Sequence, residues 1–179
     1  AAGAACALIS HEAAREKPPQ GEARVLVLPG EQLSQLAGEL AAAFWGHPSQ
    51  RIDLFGVTGT NGKTTTTVLI AQLCQAAGMR AAAIGTIGVW TPEGVRPGAM
   101  TTPDAETLQA LLAQLRDEGF SHVAIEVSSH ALDQDRVAGV QFAATAWTNL
   151  SRDHLDYHGT EQAYGEAKAR LFREFSARA

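Results

Sequence analysis

Apolar residues recur along this chain with a spacing that changes near residue 50. Before it, Leu33, Leu36, Leu40 and Phe44 stand three and four apart. That spacing predicts an amphipathic helix over 31–45, stopped by Gly46-His47-Pro48. Ahead of it lie a short apolar run at 4–10, a polar stretch with Pro-Pro and Gly at 11–23 that reads as a loop, and a strand at 25–28 ended by Pro29-Gly30. Beyond residue 50 short apolar runs alternate with longer helical patterns. Strands are predicted at 52–57, 81–89, 123–127 and 142–150. Helices are predicted at 62–77, closed by Gly78, at 103–118, with Thr102 as N-cap and Pro103 in its first turn, and at 160–175, capped by Thr160. This alternation predicts an α/β fold with a parallel sheet covered on both faces. Right-handed crossovers then gather the strand C-terminal ends on one edge, where ligands sit.

The composition narrows the function. The chain has 179 residues, 45% of them hydrophobic, enough for a sizeable core. A formal charge of -5 argues against a general nucleic-acid binder, which needs a basic face. A local anion site needs only a few cations and backbone N–H groups, so it stays open. Two cysteines, Cys6 and Cys74, read as small core residues in a reducing compartment. There is no run of 18 apolar residues and no basic leader, so neither a membrane span nor a signal peptide is expected. Without an initiator Met, the sequence reads as a piece of a longer chain.

The strongest chemical signal is Gly56-Val-Thr-Gly-Thr-Asn-Gly-Lys-Thr64, between a predicted strand and a predicted helix. Glycines let the backbone curl so that N–H groups converge on phosphate oxygens, and the helix N-terminus adds partial positive charge. Lys63 can reach β- and γ-phosphates, and Thr64 offers a hydroxyl to Mg²⁺. Gly56, Gly59 and Gly62 make a shifted variant of the strict phosphate-loop spacing. Glu126 ends the strand at 123–127, where a carboxylate is costly unless it is paired or holds a metal. A Mg²⁺ ligand and a hydrogen-bonded structural Glu are the two readings.

The segment Asn149-Leu-Ser-Arg-Asp-His-Leu-Asp-Tyr-His-Gly159 packs Arg152, Asp153, His154, Asp156 and His158 just after a strand. A functional site and a solvated polar loop are both compatible with that density. Zinc-type Cys/His spacing is absent. Lys168, read alone, is a surface lysine. Thr101-Thr102-Pro103-Asp104 and Ser128-Ser129-His130, with Gln134 and Arg136 beyond, fall on the same sheet edge. Their hydroxyls, amide and guanidinium suit a carboxylate or a sugar phosphate.

Taken in order, GVTGTNGKTTT, TTPD, EVSSHAL, NLSRDHLDYHGT and AKARLF resemble the ATP-dependent Mur ligases. GTNGKT is shared with the wider superfamily, including folylpolyglutamate synthase. EVSSHAL followed by RDHLDYHG is more similar to the branch that extends UDP-MurNAc-dipeptide. The resemblance implies that 1–48 is the end of an N-terminal UDP-substrate domain and 49–179 the first part of a truncated central ATP-binding domain. It implies a ligase of peptidoglycan synthesis, and hence of cell shape and division, acting in the cytoplasm as a monomer. The dipeptide carboxylate would be phosphorylated by ATP and the acyl phosphate attacked by the amine of meso-diaminopimelate or L-lysine. By the same resemblance, residues Thr60, Asn61, Gly62, Lys63, Thr64, Thr65 and Thr66 hold ATP. Thr64 and Glu126 serve one Mg²⁺, while His154 and a carbamylated Lys168 help place a second. Thr101, Thr102, Ser128, Gln134 and Arg136 contact the muramoyl-dipeptide. Lys63, Glu126, His154 and Lys168 carry the catalysis. A different Mur or folylpolyglutamate-type ligase, and a nucleotide-binding fragment without turnover, are the alternatives.

Overall fold

The computed structural model describes residues 6–16 and 24–175. The expectations for 4–5 and 17–23 lie outside these residues. The N-terminal unit is a parallel pair, β1 (Cys6–Ser10) and β2 (Arg24–Leu28), with α1 (His11–Glu16) and α2 (Gly30–Phe44). The helix α1 falls inside the stretch read as a loop. Ser10 Oγ accepts from the Ala13 amide at 3.1 Å and so starts a helix that no apolar period announces. The predicted 31–45 helix is α2, and a single 3-10 turn, Pro48–Gln50, follows it.

The larger unit is a six-stranded sheet in the order β6-β5-β4-β7-β3-β8. Its strands are β3 (Asp53–Thr58), β4 (Ala81–Gly85), β5 (Gly88–Thr91), β6 (Gly94–Arg96), β7 (His122–Glu126) and β8 (Ala144–Trp147). The helices are α3 (Lys63–Ala76), α4 (Ala105–Asp117), α5 (Ser129–Asp133), α6 (Leu155–His158) and α7 (Glu161–Arg173). Strands β4, β7, β3 and β8 run parallel, as the alternation predicts. The sheet is nevertheless mixed. The expected single strand 81–89 turns back at Thr86-Ile87, and β5 and β6 add an antiparallel meander. Gly88 makes the return possible at φ 98°, a conformation other residues avoid. The predicted strand 142–150 shortens to four residues. Phe142 turns fully into the core, and residues 148–149 leave the sheet to hold the loop after β3.

The sheet core joins Leu54, Val123, Ile125, Leu108, Leu112, Phe142 and Leu171, all fully buried. Parallel strands buried on both faces carry continuous apolar runs, which is why β4 and β7 show no alternation. Helix α4 begins later than expected, and Thr102 does not cap it. Asp104 does, its carboxylate accepting from the Thr107 amide at 2.9 Å. The Thr160 cap of α7 is present, accepting from Ala163 at 3.1 Å. Helix α2 packs against α4 through small residues: a Cβ at Gly38 would stand 2.7 Å from Ala138 Cβ and 3.1 Å from Ala105 Cβ.

Candidate active site

Strands β3, β7 and β4 end together, so register alone brings the first site residues to one edge. Val57 pairs with Glu126, one residue before β3 ends at Thr58. The chain then turns through 59–62 into α3. Gly59 takes φ 141° and Gly62 φ 85°. No side chain caps α3, and the first-turn N–H groups of any helix lack intrahelical acceptors. The predicted phosphate loop therefore has the required form: glycine turn, then an uncapped helix N-terminus.

Two ammonium groups converge on this loop. Lys63 Nζ donates to the carbonyls of Gly59 at 2.8 Å and Thr60 at 2.9 Å. Lys168 Nζ donates to the same Gly59 carbonyl at 2.9 Å and lies 4.4 Å from the centre of the Tyr164 ring. Burial lowers the Lys63 pKa, against the pull of Glu126 and Asp153. Burial and the neighbouring Lys63 charge bring Lys168 down to about 8, with Asp153 opposing. Lys168 is 1% exposed, so its reading as a surface lysine is overturned. Position 168 on α7 faces inward beside Tyr164 and Leu171, which the sequence around it does not announce.

Glu126 is also 1% exposed. Its carboxylate accepts from the Thr86 amide at 2.8 Å and the Thr86 hydroxyl at 3.3 Å. Among the described residues no hydrogen bond or ion pair joins Glu126, His154 and Lys168, and no three His, Cys, Asp or Glu side chains are grouped to hold a metal ion. His154 is exposed, with φ 49°, and its Nε2 stands 3.6 Å from Asp153. Its ring centre is 4.9 Å from that of His130 and 6.0 Å from that of Tyr164. Burial first, then the His154 and His158 charges, lowers the His130 pKa. Tyr164, the neighbour of both Lys168 and His154, also donates to Thr60 Oγ1 at 3.2 Å.

The remaining candidates form a second group on the same edge. Thr101 Oγ1 meets Thr86 Oγ1 at 3.1 Å. Thr102 is buried; its hydroxyl donates to the Glu126 carbonyl at 2.7 Å and accepts from the Ser128 amide at 3.1 Å. That occupies Thr102 within the protein. Ser128 caps α5. Arg136 is held by Gln134 Oε1 and the Thr102 carbonyl, and it lines a cavity of about 430 Å³ with Ser34 of α2, Met100 and Asp104. Within the loop, Asn61 is exposed, Thr64 is half-buried, and Thr65 and Thr66 continue the first turn of α3. The residues missed from sequence are Thr86, hidden inside an expected strand, Tyr164, and the pair Thr148 and Asn149 that grips the loop. Only Asn149 had a signal, as the first residue of the charged motif.

Comparison with known proteins follows the same lines. Residues 57–179 match the Mur ligase middle domain. A UDP-N-acetylmuramoyl-L-alanyl-D-glutamate--2,6-diaminopimelate ligase of Parasynechococcus marenigrum is 53% identical over 171 residues, 96% of this chain and 34% of its own length. A ligase of the same name from Xylella fastidiosa is 56% identical over 135 residues, 75% of this chain and 27% of its own. A solved structure of a ligase with that name superposes with a TM-score of 0.72 at 39% identity, covering 88% of this chain and 32% of the other. Escherichia coli FolC, solved with DHPP and ADP, shares the fold at 20% identity and a TM-score of 0.61, covering 74% of this chain and 37% of its own. The chain thus spans about a third of the length of the curated relatives it matches. With the middle-domain match covering most of its residues and relatives above 50% identity along nearly its whole length, the chain belongs to the Mur ligase family.

Proposed function

We propose that this chain is the nucleotide-handling part of an ATP-dependent carboxylate–amine ligase that adds an amino acid to UDP-MurNAc-L-Ala-D-Glu in peptidoglycan precursor synthesis. Of the two amino acids expected, meso-diaminopimelate and L-lysine, the names of its relatives favour a 2,6-diaminopimelate. The observation that carries the proposal is the convergence of Lys63 and Lys168 on the Gly59 carbonyl, at the mouth of an uncapped helix and on the edge that holds Glu126. A polyphosphate suits this place, since both ammonium groups rest on neutral carbonyl acceptors and no side chain caps the first turn of α3. Residues 1–48 would complete the acceptor side, and 49–179 the ATP side. No helix among the described residues is long and apolar enough to cross a membrane; a cytoplasmic monomer is the form we propose.

The donor set also suits Mg²⁺, which is typically held by one or two carboxylates together with substrate phosphates. The Thr64 hydroxyl and Glu126 would hold one ion, and His154 with a carbamylated Lys168 would help place a second. When bound, Mg²⁺ offsets the repulsion between carboxylate and phosphate oxygens. The residues of the chain do the rest. Lys63 leaves the loop carbonyls for the β- and γ-phosphates and stabilises the charge that develops between them. Thr86 keeps the Glu126 carboxylate oriented. Arg136, fixed by Gln134 and Thr102, offers a planar fork to a substrate carboxylate. The γ-phosphoryl passes to the dipeptide carboxylate, the amine attacks the acyl phosphate, and phosphate leaves as the amide forms.

The test is phosphate release by the full-length ligase with ATP, UDP-MurNAc-dipeptide and diaminopimelate. Lys63→Ala should cut turnover by about 10²–10³-fold with a near-unchanged melting temperature. Release that survives the substitution at the wild-type rate would remove Lys63 from the chemistry.

A further inference from the structure

Thr58, Thr60 and Asn61 are gripped from outside the phosphate loop by the segment that follows β8. The Thr60 amide donates to the Asn149 carbonyl at 3.0 Å. The Asn61 amide donates to Asn149 Oδ1 at 3.0 Å, and Asn149 Nδ2 donates back to the Asn61 carbonyl at 3.0 Å. Only one orientation of the Asn149 amide satisfies both bonds. The Thr148 hydroxyl donates to the same Asn61 carbonyl at 2.6 Å. Ser151 exchanges two bonds with Thr60 Oγ1, at 3.0 and 3.2 Å. Asn61 thus has both main-chain polar groups occupied by one side chain. The peptide planes on either side of it are fixed, and the next residues are Gly62 and the first turn of α3.

We infer that Asn149 is a positioning residue for nucleotide phosphates, setting the peptide planes around Asn61 so that the N–H groups that follow it, at the uncapped start of α3, are aligned before ATP arrives. A loop of glycines and small residues is otherwise free to populate many backbone states, and ordering it on binding weakens affinity. Asn149 also opens the segment that carries Asp153 and His154, so the phosphate end and the His154 end of the edge share one strut. The inference rests on the ATP-ligase reading above.

The experiment uses the full-length ligase and compares KM for ATP, for UDP-MurNAc-dipeptide and for diaminopimelate, with ATP affinity measured by calorimetry. Asn149→Ala should raise KM and Kd for ATP by about tenfold or more, with the other two KM values within about twofold. Thr148→Val removes the second grip on Asn61 and should shift ATP in the same selective way, while Thr148→Ser restores it. This pair decides the matter if Asn149→Ala does not fold. Unchanged ATP values, or all three KM values moving together with the melting temperature, would overturn the positioning role. A wild-type enzyme that binds no ATP would instead overturn the ligase reading, and the inference with it.

Discussion

A methyl group at residue 85 would stand 1.9 Å from Glu126 Oε1 and 2.6 Å from its Cδ, with the whole side chain buried and unable to swing clear. Gly85→Ala should therefore push the carboxylate off Thr86, costing about 1–3 kcal/mol in chemical denaturation and, on the proposed function, nearly all turnover of the full-length ligase. Wild-type turnover would show that Glu126 needs no fixed position. Lys168 offers a second check at this scale. With its pKa lowered to about 8, the neutral amine becomes abundant as pH rises through 8, far below an ordinary lysine. Only that neutral form adds CO₂, losing a proton to become a carbamate. In ¹³C-bicarbonate, a carbamate carbon signal should grow between about pH 7 and 9 and vanish in Lys168→Arg. The glycine turn and helix start of the candidate phosphate loop were legible because their glycines, lysine and threonines are contiguous. Lys168 was not, because its burial depends on Gly59, 109 positions away.

Among the elements, α4 shows how a cap is misread. Thr102-Pro103 has the form of a cap and first turn, yet Asp104 takes the role because Thr102 is drawn to the end of β7. Asp104→Ala should lower stability by about 1 kcal/mol near neutral pH. Its hydrogen bonds to Thr107 hold the carboxyl below the usual 3.8. The stabilisation is thus present above pH 3.8 and fades as pH falls through the lower folded value. The gap between variant and wild type in urea melts should close in acid; a gap independent of pH would assign the cap elsewhere. The strands were legible where both faces are buried and the run is short. The β4–β5 turn was not, since Ala81–Gly85 and Gly88–Thr91 carry the same apolar signal and only two glycines mark the break.

At the scale of the whole molecule, the alternation of strands and helices was enough to give the parallel core, but it says nothing of how α2 sits on it. That contact depends on Gly38 fitting against Ala105 and Ala138, residues far apart in sequence. Gly38→Val should lift α2 from α4, lowering the melting temperature by several degrees. Since α2 brings Ser34 to the Arg136 cavity, which the proposed function gives to the nucleotide-sugar peptide, KM for that peptide in the full-length ligase should rise more than KM for ATP. Equal changes in the two would mean that α2 serves only stability. The paired lysines have a consequence for traffic into the site. The chain is net -5, yet two ammonium groups meet at one carbonyl oxygen on the ligand edge. Two ammonium groups on one acceptor concentrate positive field at a point, against the sign of the whole chain. A compact polyanion can meet both charges at once, and that local field draws it in whatever the sign of the whole chain.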